Sequence, residues 1–197
     1  NDEIYPYFQP IKPASASNKL VIHELLMRIH QDGKIVSAYE FIEIAEARGL
    51  INSMDLMVIE KAFKEIQRTQ YEGILFINLS PKSLIVGDFI NKINAFVLKY
   101  EINKEKIVFE ITERETVKNF SLLEKFVHNL KSDGYKFAID DFGSGFSSFH
   151  YIKKFPIDYV KIDGDFIINI NKDIKDKAFV NSIVTLAKEL KIQTIAE

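Results

Sequence analysis

The strongest constraint on this chain is an alternation. Seven short apolar runs, rich in β-branched and aromatic residues, are separated by longer stretches of helical period. The runs are Tyr5–Ile11, Leu20–Ile29, Ile74–Ser80, Ile107–Thr112, Lys136–Phe142, Tyr159–Ile162 and Gln193–Glu197. Continuous apolar cores of this kind predict strands buried on both faces. Between them, three stretches follow the i, i+3, i+4 stripe of an amphipathic helix. They are Phe41, Ile44 and Ala45; Met54, Met57, Val58, Lys61 and Ala62; and Phe179, Ile183, Leu186, Ala187 and Leu190. Strand–helix alternation implies βα units and a parallel sheet. An open doubly wound sheet and most of a (β/α)8 barrel both satisfy the pattern. No G-x-G-x-x-G follows the first strand and no G-x-x-x-x-G-K-[ST] occurs, so the nucleotide-binding open sheets lose support.

Composition narrows the class. At 197 residues, one domain is expected, or one with a short appendage. An apolar share of 47% with 27% charged residues is a globular balance and argues against disorder. Twenty-six Lys and Arg against 28 Asp and Glu leave a formal charge of −2, so there is no global basic field for duplex nucleic acid. The absence of cysteine removes a disulfide framework, a thiolate metal site and a thiol nucleophile, which fits the cytosol. No run approaches the roughly 18 apolar residues that span a bilayer. The opening Asn1-Asp2-Glu3-Ile4 lacks the basic and apolar regions of a signal peptide and has no initiator Met, as expected of a piece of a longer chain.

The informative oddity is where acids and amides stand. Strand runs repeatedly end in them: Glu24, Asn78, Glu110, Asp140-Asp141 and Glu197, with Lys161 in the same position after Tyr159-Val160. A single acid at a strand end is ordinarily a helix N-cap or a solvated loop residue. Recurrence on strand after strand is what that account explains poorly. A buried carboxylate needs a partner. Strands ending this way at one rim would gather five carboxylates, an amide and a lysine. Two divalent cations are a natural partner for that much negative charge, and the C-terminal rim of a barrel is where such a site belongs. Carboxylate and amide oxygens suit Mg²⁺ or Mn²⁺, whereas zinc wants His or Cys. His23, His30, His128 and His150 show no paired ligand spacing and read as structural or surface residues.

These motifs, in order, resemble the EAL family of cyclic di-GMP phosphodiesterases. Tyr7-Phe8-Gln9-Pro10-Ile11 is similar to the family's opening strand and Glu24-Leu25-Leu26-Met27-Arg28 to its signature. Phe41-Ile42-Glu43-Ile44-Ala45-Glu46 with Gly49-Leu50-Ile51 resembles the helix that follows. Asn78-Leu79-Ser80-Pro81, Glu110-Ile111-Thr112-Glu113, Asp140-Asp141-Phe142-Gly143-Ser144-Gly145, Lys161-Ile162-Asp163 and Ala196-Glu197 match later blocks.

The resemblance implies a (β/α)8 TIM-like barrel whose first strand runs antiparallel, here one domain over residues 1–197. The chain ends before the eighth strand. By the same resemblance it lacks the final helix–strand–helix region and the usual N-terminal helix, the expectation for a trimmed fragment. It further implies that Glu24, Asn78, Glu110 and Asp140 hold one metal, that Asp140 bridges, that Asp141 serves the second, and that Glu197 is a further acid there. Lys161 matches the lysine that binds the attacking water. Glu113 matches the anchor of the loop from Asp141 to Ser148, and Gln9, Leu26 and Arg28 match contacts to the dinucleotide. Two metals about 3.5–4 Å apart would activate water and clamp an in-line displacement at phosphorus. Lys161 either orients that water or takes its proton. Catalysis is thus assigned to Lys161, Glu24, Asp140 and Asp141.

Leu25 stands where the family signature has alanine. Side chains alternate along a strand, so Leu25 is expected to face away from the site that Glu24 and Leu26 face, with repacking behind the strand as the cost. The implied reaction linearises cyclic di-GMP to the 5′-phosphorylated dinucleotide in bacterial second-messenger signalling. The alternative is an inactive cyclic di-GMP receptor; a protein-interaction scaffold and a proton-abstracting barrel enzyme rank below it. A homodimer, fusion to upstream sensory or GGDEF domains, and a cytoplasmic location for the domain, with membrane anchoring of the full-length protein left open, complete the expectations.

Overall fold

The structure, a computed structural model, describes residues 3–15, 20–85, 88–144 and 150–197. Its packing divides into two compact units, Asn1–Val108 and Phe109–Glu197.

In the first unit, β1 (Ile4–Ile11) runs antiparallel to β2 (Ile22–Gln31), pairing Gln9 with Glu24, Tyr7 with Leu26 and Tyr5 with Arg28. The first half of β2 then pairs in parallel with β4 (Ile74–Asn78), and its second half pairs with β3 (Lys34–Ser37). The antiparallel first strand is therefore present as expected. β3 is an addition. It closes a tight hairpin through Asp32 and Gly33, which take φ of 50° and 73°, the left-handed pair that a two-residue turn requires. The Asp-Gly dipeptide was the available signal.

Burial on both faces holds for β4, whose Ile74 to Ile77 are all buried, but not for β1. There Tyr5, Tyr7 and Gln9 are exposed while Ile4 is buried, the alternation of an antiparallel strand with one wet face. Helix α1 (Ala38–Ala47) starts at a capping box in which Glu40 Oε1 accepts from the Ser37 N–H at 3.0 Å. Helix α2 (Ile51–Thr69) buries Ile51, Met54, Asp55, Val58, Ile59, Ala62 and Phe63. The real stripe sits one residue round from the expected one: Met57 and Lys61 are half-buried, and Asp55 takes a core position. Ile44, expected on the inner face of α1, is exposed. After β4 come α3 (Pro81–Ile85) and α4 (Phe89–Lys99), the latter burying Phe89, Ile93 and Val97.

The second unit contains most of β5 (Ile107–Thr112), then β6 (Lys136–Phe142), β7 (Tyr159–Ile162) and β8 (Gln193–Ala196), neighbours in that order. The β6–β7 and β7–β8 pairs are parallel. Connections run through α5 (Glu113–Lys118), α6 (Phe120–Ser132), α7 (His150–Lys154), α8 (Gly164–Ile168) and α9 (Ile174–Glu189). β5, β6 and β7 are buried almost throughout, as crossover helices on a parallel sheet require. β8 is mostly exposed, against the expectation of two buried faces. Leu190 falls beyond the last turn of α9 and is exposed, so the buried stripe is Val180, Ile183 and Ala187. Among the described residues, no helix is long and apolar enough to cross a membrane.

Candidate metal and substrate site

Strand period places the first set of residues. On β2, Glu24, Leu26 and Arg28 share one face, and their antiparallel partners Gln9, Tyr7 and Tyr5 share it with them. Leu25 turns the other way and is 4% exposed, as the alternation predicts. Glu24 Oε1 accepts a hydrogen bond from Asn78 Nδ2 at 2.8 Å, so the signature acid and the amide at the end of β4 are in direct contact. Arg28 donates from Nη1 to the Met27 carbonyl at 2.9 Å, and its guanidinium stands 5.9 Å from the Tyr7 ring centre. His23 points to the opposite face and bonds the Tyr71 hydroxyl at 2.9 Å; His30 stacks on Tyr5 and bonds the Tyr7 hydroxyl. His128 is exposed.

The turn after Asn78 is held by residues that sequence reading missed. Ser80 Oγ donates to Glu46 Oε1 at 2.8 Å, and Lys82 Nζ reaches Glu46 Oε2 at 2.7 Å. Ser83 Oγ donates to Asp55 Oδ2 at 2.8 Å, and Asn52 Nδ2 donates to the Ser83 carbonyl at 3.3 Å. Asp55 and Ser83 are both buried. Burial pushes the Asp55 carboxyl up to about 7; the Ser83 hydroxyl opposes this and the Glu46 charge adds to it. The available signal was an acid on the apolar stripe of α2, between Met54 and Val58.

The second unit concentrates charge. Lys161, 2% exposed in the middle of β7, lies 2.8 Å from Glu197 Oε1, 3.0 Å from Asp140 Oδ1 and 3.4 Å from Glu110 Oε2. Glu110 is fully buried on β5 and Asp140 nearly so on β6. Burial, then the Asp140 charge, raise the Glu197 carboxyl to about 7, while Lys161 pulls it down.

Adjacent residues on a regular strand point to opposite faces, yet Asp140 and Asp141 do not part company. The β6–β7 register shifts between Ile139 and Phe142, and Asp141 takes a left-handed φ of 51°. This bulge turns the backbone out of the pleat, a device that re-aims side chains beside active sites. As a result, carboxylate oxygens of Asp140, Asp141 and Glu197 all lie within 4.8 Å of one another. The turn is secured locally. Asp140 Oδ1 accepts from the Asp141 N–H at 3.0 Å, and Ser144 donates from Oγ to the Asp141 carbonyl at 2.8 Å.

Buried Glu113, first residue of α5, accepts from the Gly143 N–H at 2.9 Å, which places the expected loop anchor on the loop's first turn. Residues 145–149 of that loop, and the side chain of His150, lie outside the described residues.

Three hard oxygen donors converging beside a buried lysine fit a Mg²⁺- or Mn²⁺-type ion by the chemistry of the donor set. The cluster stands at the C-terminal strand ends, where TIM-barrel-type folds place their functional sites. The chain belongs to the EAL domain family, whose model matches residues 1–197, and its fold is that of EAL domains.

The chain is 36% identical over its whole length to the cyclic di-GMP phosphodiesterase PdeB of Shewanella oneidensis, of which it covers 23%. It matches the EAL enzyme Bd1971, in its cAMP- and cyclic di-GMP-bound form, with a TM-score of 0.88 and 30% identity, covering 100% of this chain and 55% of that one. It matches Klebsiella pneumoniae BlrP1, in a manganese and cyclic di-GMP complex, with a TM-score of 0.87 and 26% identity, covering 98% of this chain and 49% of that one. The chain thus spans 23 to 30% of the length of three curated relatives, all named cyclic di-GMP phosphodiesterases.

Proposed function

We propose that this chain is the catalytic domain of a metal-dependent phosphodiesterase that hydrolyses cyclic di-GMP to the linear 5′-phosphorylated dinucleotide. The observation that carries the reading is the bulge at Asp140-Asp141, which gathers two successive carboxylates and Glu197 beside Lys161. The names of the relatives and solved neighbours support the substrate. Glu24, Asn78, Glu110, Asp140, Asp141 and Glu197 serve as ligands for Mg²⁺ or Mn²⁺. When bound, two such ions lower the pKa of a water and neutralise charge on the phosphoryl oxygens.

The remaining work falls to the chain's own side chains. Lys161, engaged by carboxylates at 2.8 and 3.0 Å, acts as an N–H donor that orients the attacking water. An ammonium has no lone pair with which to take a proton. Arg28 offers a fork of N–H donors to a phosphate. Gln9 and Leu26, on the same strand face, frame the dinucleotide. Glu113 keeps the Asp141 turn in place by holding the Gly143 N–H.

The domain works as a homodimer in the cytoplasm, within a longer protein carrying sensory or GGDEF domains; the greater length of its relatives supports that fusion.

The test is a chromatographic time course of cyclic di-GMP with Mn²⁺, run beside Glu24→Ala. Linear dinucleotide from the parent alone is the expected result. Binding of the dinucleotide with Mn²⁺ present but no cleavage would make this a receptor instead.

A further inference from the structure

Asp141 is in a left-handed backbone conformation, with φ of 51°, that side chains other than glycine's adopt mainly where local hydrogen bonds support them. Such a residue persists only where its surroundings over-determine it. Polar restraints hold the turn: Glu113 accepts from the Gly143 N–H, Asp140 Oδ1 accepts from the Asp141 N–H, and the Asp141 carbonyl accepts from both the Ser144 hydroxyl and, at 3.1 Å, the Ser144 N–H. A further restraint is aromatic. Phe166 of α8 and Phe179 of α9 stack with ring centres 4.4 Å apart at 30°. A β-carbon placed on Gly143 would stand 2.8 Å from Phe166 Cε2 and 2.8 Å from Phe179 Cε1, so the ring edges rest against the glycine itself. At φ +104°, Gly143 has a conformation that side chains resist, and the rings remove the space a side chain would need. Both rings are only half-buried, unlike Phe109, Phe137 and Phe142, which carry the unit's core.

We propose that the Phe166–Phe179 stack is a positioning element of the metal site: it clamps Gly143 and thereby holds the Asp141 carboxylate beside Asp140 and Glu197. The rings act through the turn. The polar hold of Glu113 fixes one bond of Gly143, and the rings oppose displacement of its α-carbon. The proposal rests on the reading of the acidic cluster as a divalent-cation site, and it extends that site to α8 and α9.

The measurement is Mn²⁺ affinity of the full chain, followed by the electron paramagnetic resonance signal of the free ion, with a thermal melt on each sample. Phe179→Ala is expected to weaken Mn²⁺ binding by about tenfold or more, the range seen when groups that orient metal ligands are removed. Phe179→Leu should recover most of the affinity. Leu123→Ala, in the core face of α6, should lose stability yet bind Mn²⁺ as the parent does. Parental affinity in Phe179→Ala overturns the clamp while leaving the metal site standing. A parent that takes up no Mn²⁺ overturns the metal reading and the clamp with it. If Phe179→Ala does not fold, Phe166→Ala carries the test: a loss of Mn²⁺ affinity in the same direction is then expected, and unchanged affinity overturns the proposal.

Discussion

The Glu113 carboxylate accepts the backbone N–H of Gly143 at 2.9 Å across 30 residues of sequence. This bond ties the first turn of α5 to the turn that carries Asp141. Glu113→Gln keeps an acceptor oxygen but removes the charge, so a charge-assisted bond becomes an ordinary one. The expected cost is about 1 kcal/mol of stability together with weaker Mn²⁺ binding. A melting curve and a metal titration on the same sample check it; parental values in both would disconnect Glu113 from the site.

Buried Lys161 balances Glu110 and Asp140, also buried, and Glu197, whose side chain reaches solvent. Lys161→Met leaves those carboxylates without their cation. Unfolding in urea without metal should show a loss of about 3–5 kcal/mol at pH 8. The loss should be smaller at pH 5, where Glu197, its carboxyl raised by burial to about 7, takes up a proton instead. Turnover should vanish while Mn²⁺ is still bound. Retained turnover would remove Lys161 from the chemistry.

Asp55 supplies a pH dependence of its own. Its carboxyl, raised by burial to about 7 from an ordinary 3.8, keeps a proton in the folded chain that the unfolded chain gives up between those values. Stability therefore falls as pH rises from about 4 through 7. Asparagine still accepts from Ser83 but cannot ionise. The stability advantage of Asp55→Asn over the parent should grow from about pH 4 upward and reach on the order of a few kcal/mol at pH 8. Equal pH profiles for the two proteins, read from urea midpoints, would contradict this.

Leu25 occupies the signature position where the family resemblance expects alanine, and it is buried behind the strand. Leu25→Ala should cost about 2–5 kcal/mol through the cavity it leaves. Turnover per folded molecule should stay at the parental level, because Glu24, Leu26 and Arg28 keep their face. A large change in turnover at equal folded fraction would place Leu25 in the site after all.

Much of the site was legible because strand geometry is local. A period of two follows from the covalent backbone, so His23 and Leu25 part from Glu24 and Leu26 in any strand that contains them. The antiparallel β1 came from family resemblance, since an apolar run carries no direction. The β3 hairpin was signalled by Asp32-Gly33, and the apolar stripe of α2 was misplaced by one residue because Asp55 occupies a core position. A carboxylic acid there violates the helical pattern and makes sense only once Ser83 is beside it.

The sequence by itself determined the inventory and its order: which strand ends carry acids, which face of β2 they take, and which helices separate them. The tertiary structure alone decided the bulge that turns Asp141 toward Glu197, the sharing of Lys161 among three carboxylates, and which backbone N–H the expected anchor Glu113 holds. Each joins residues on different elements, with no local propensity to announce it. Faces and periods are set by bonds along the chain, whereas a left-handed acid and a buried ion cluster exist only where distant packing outweighs their cost.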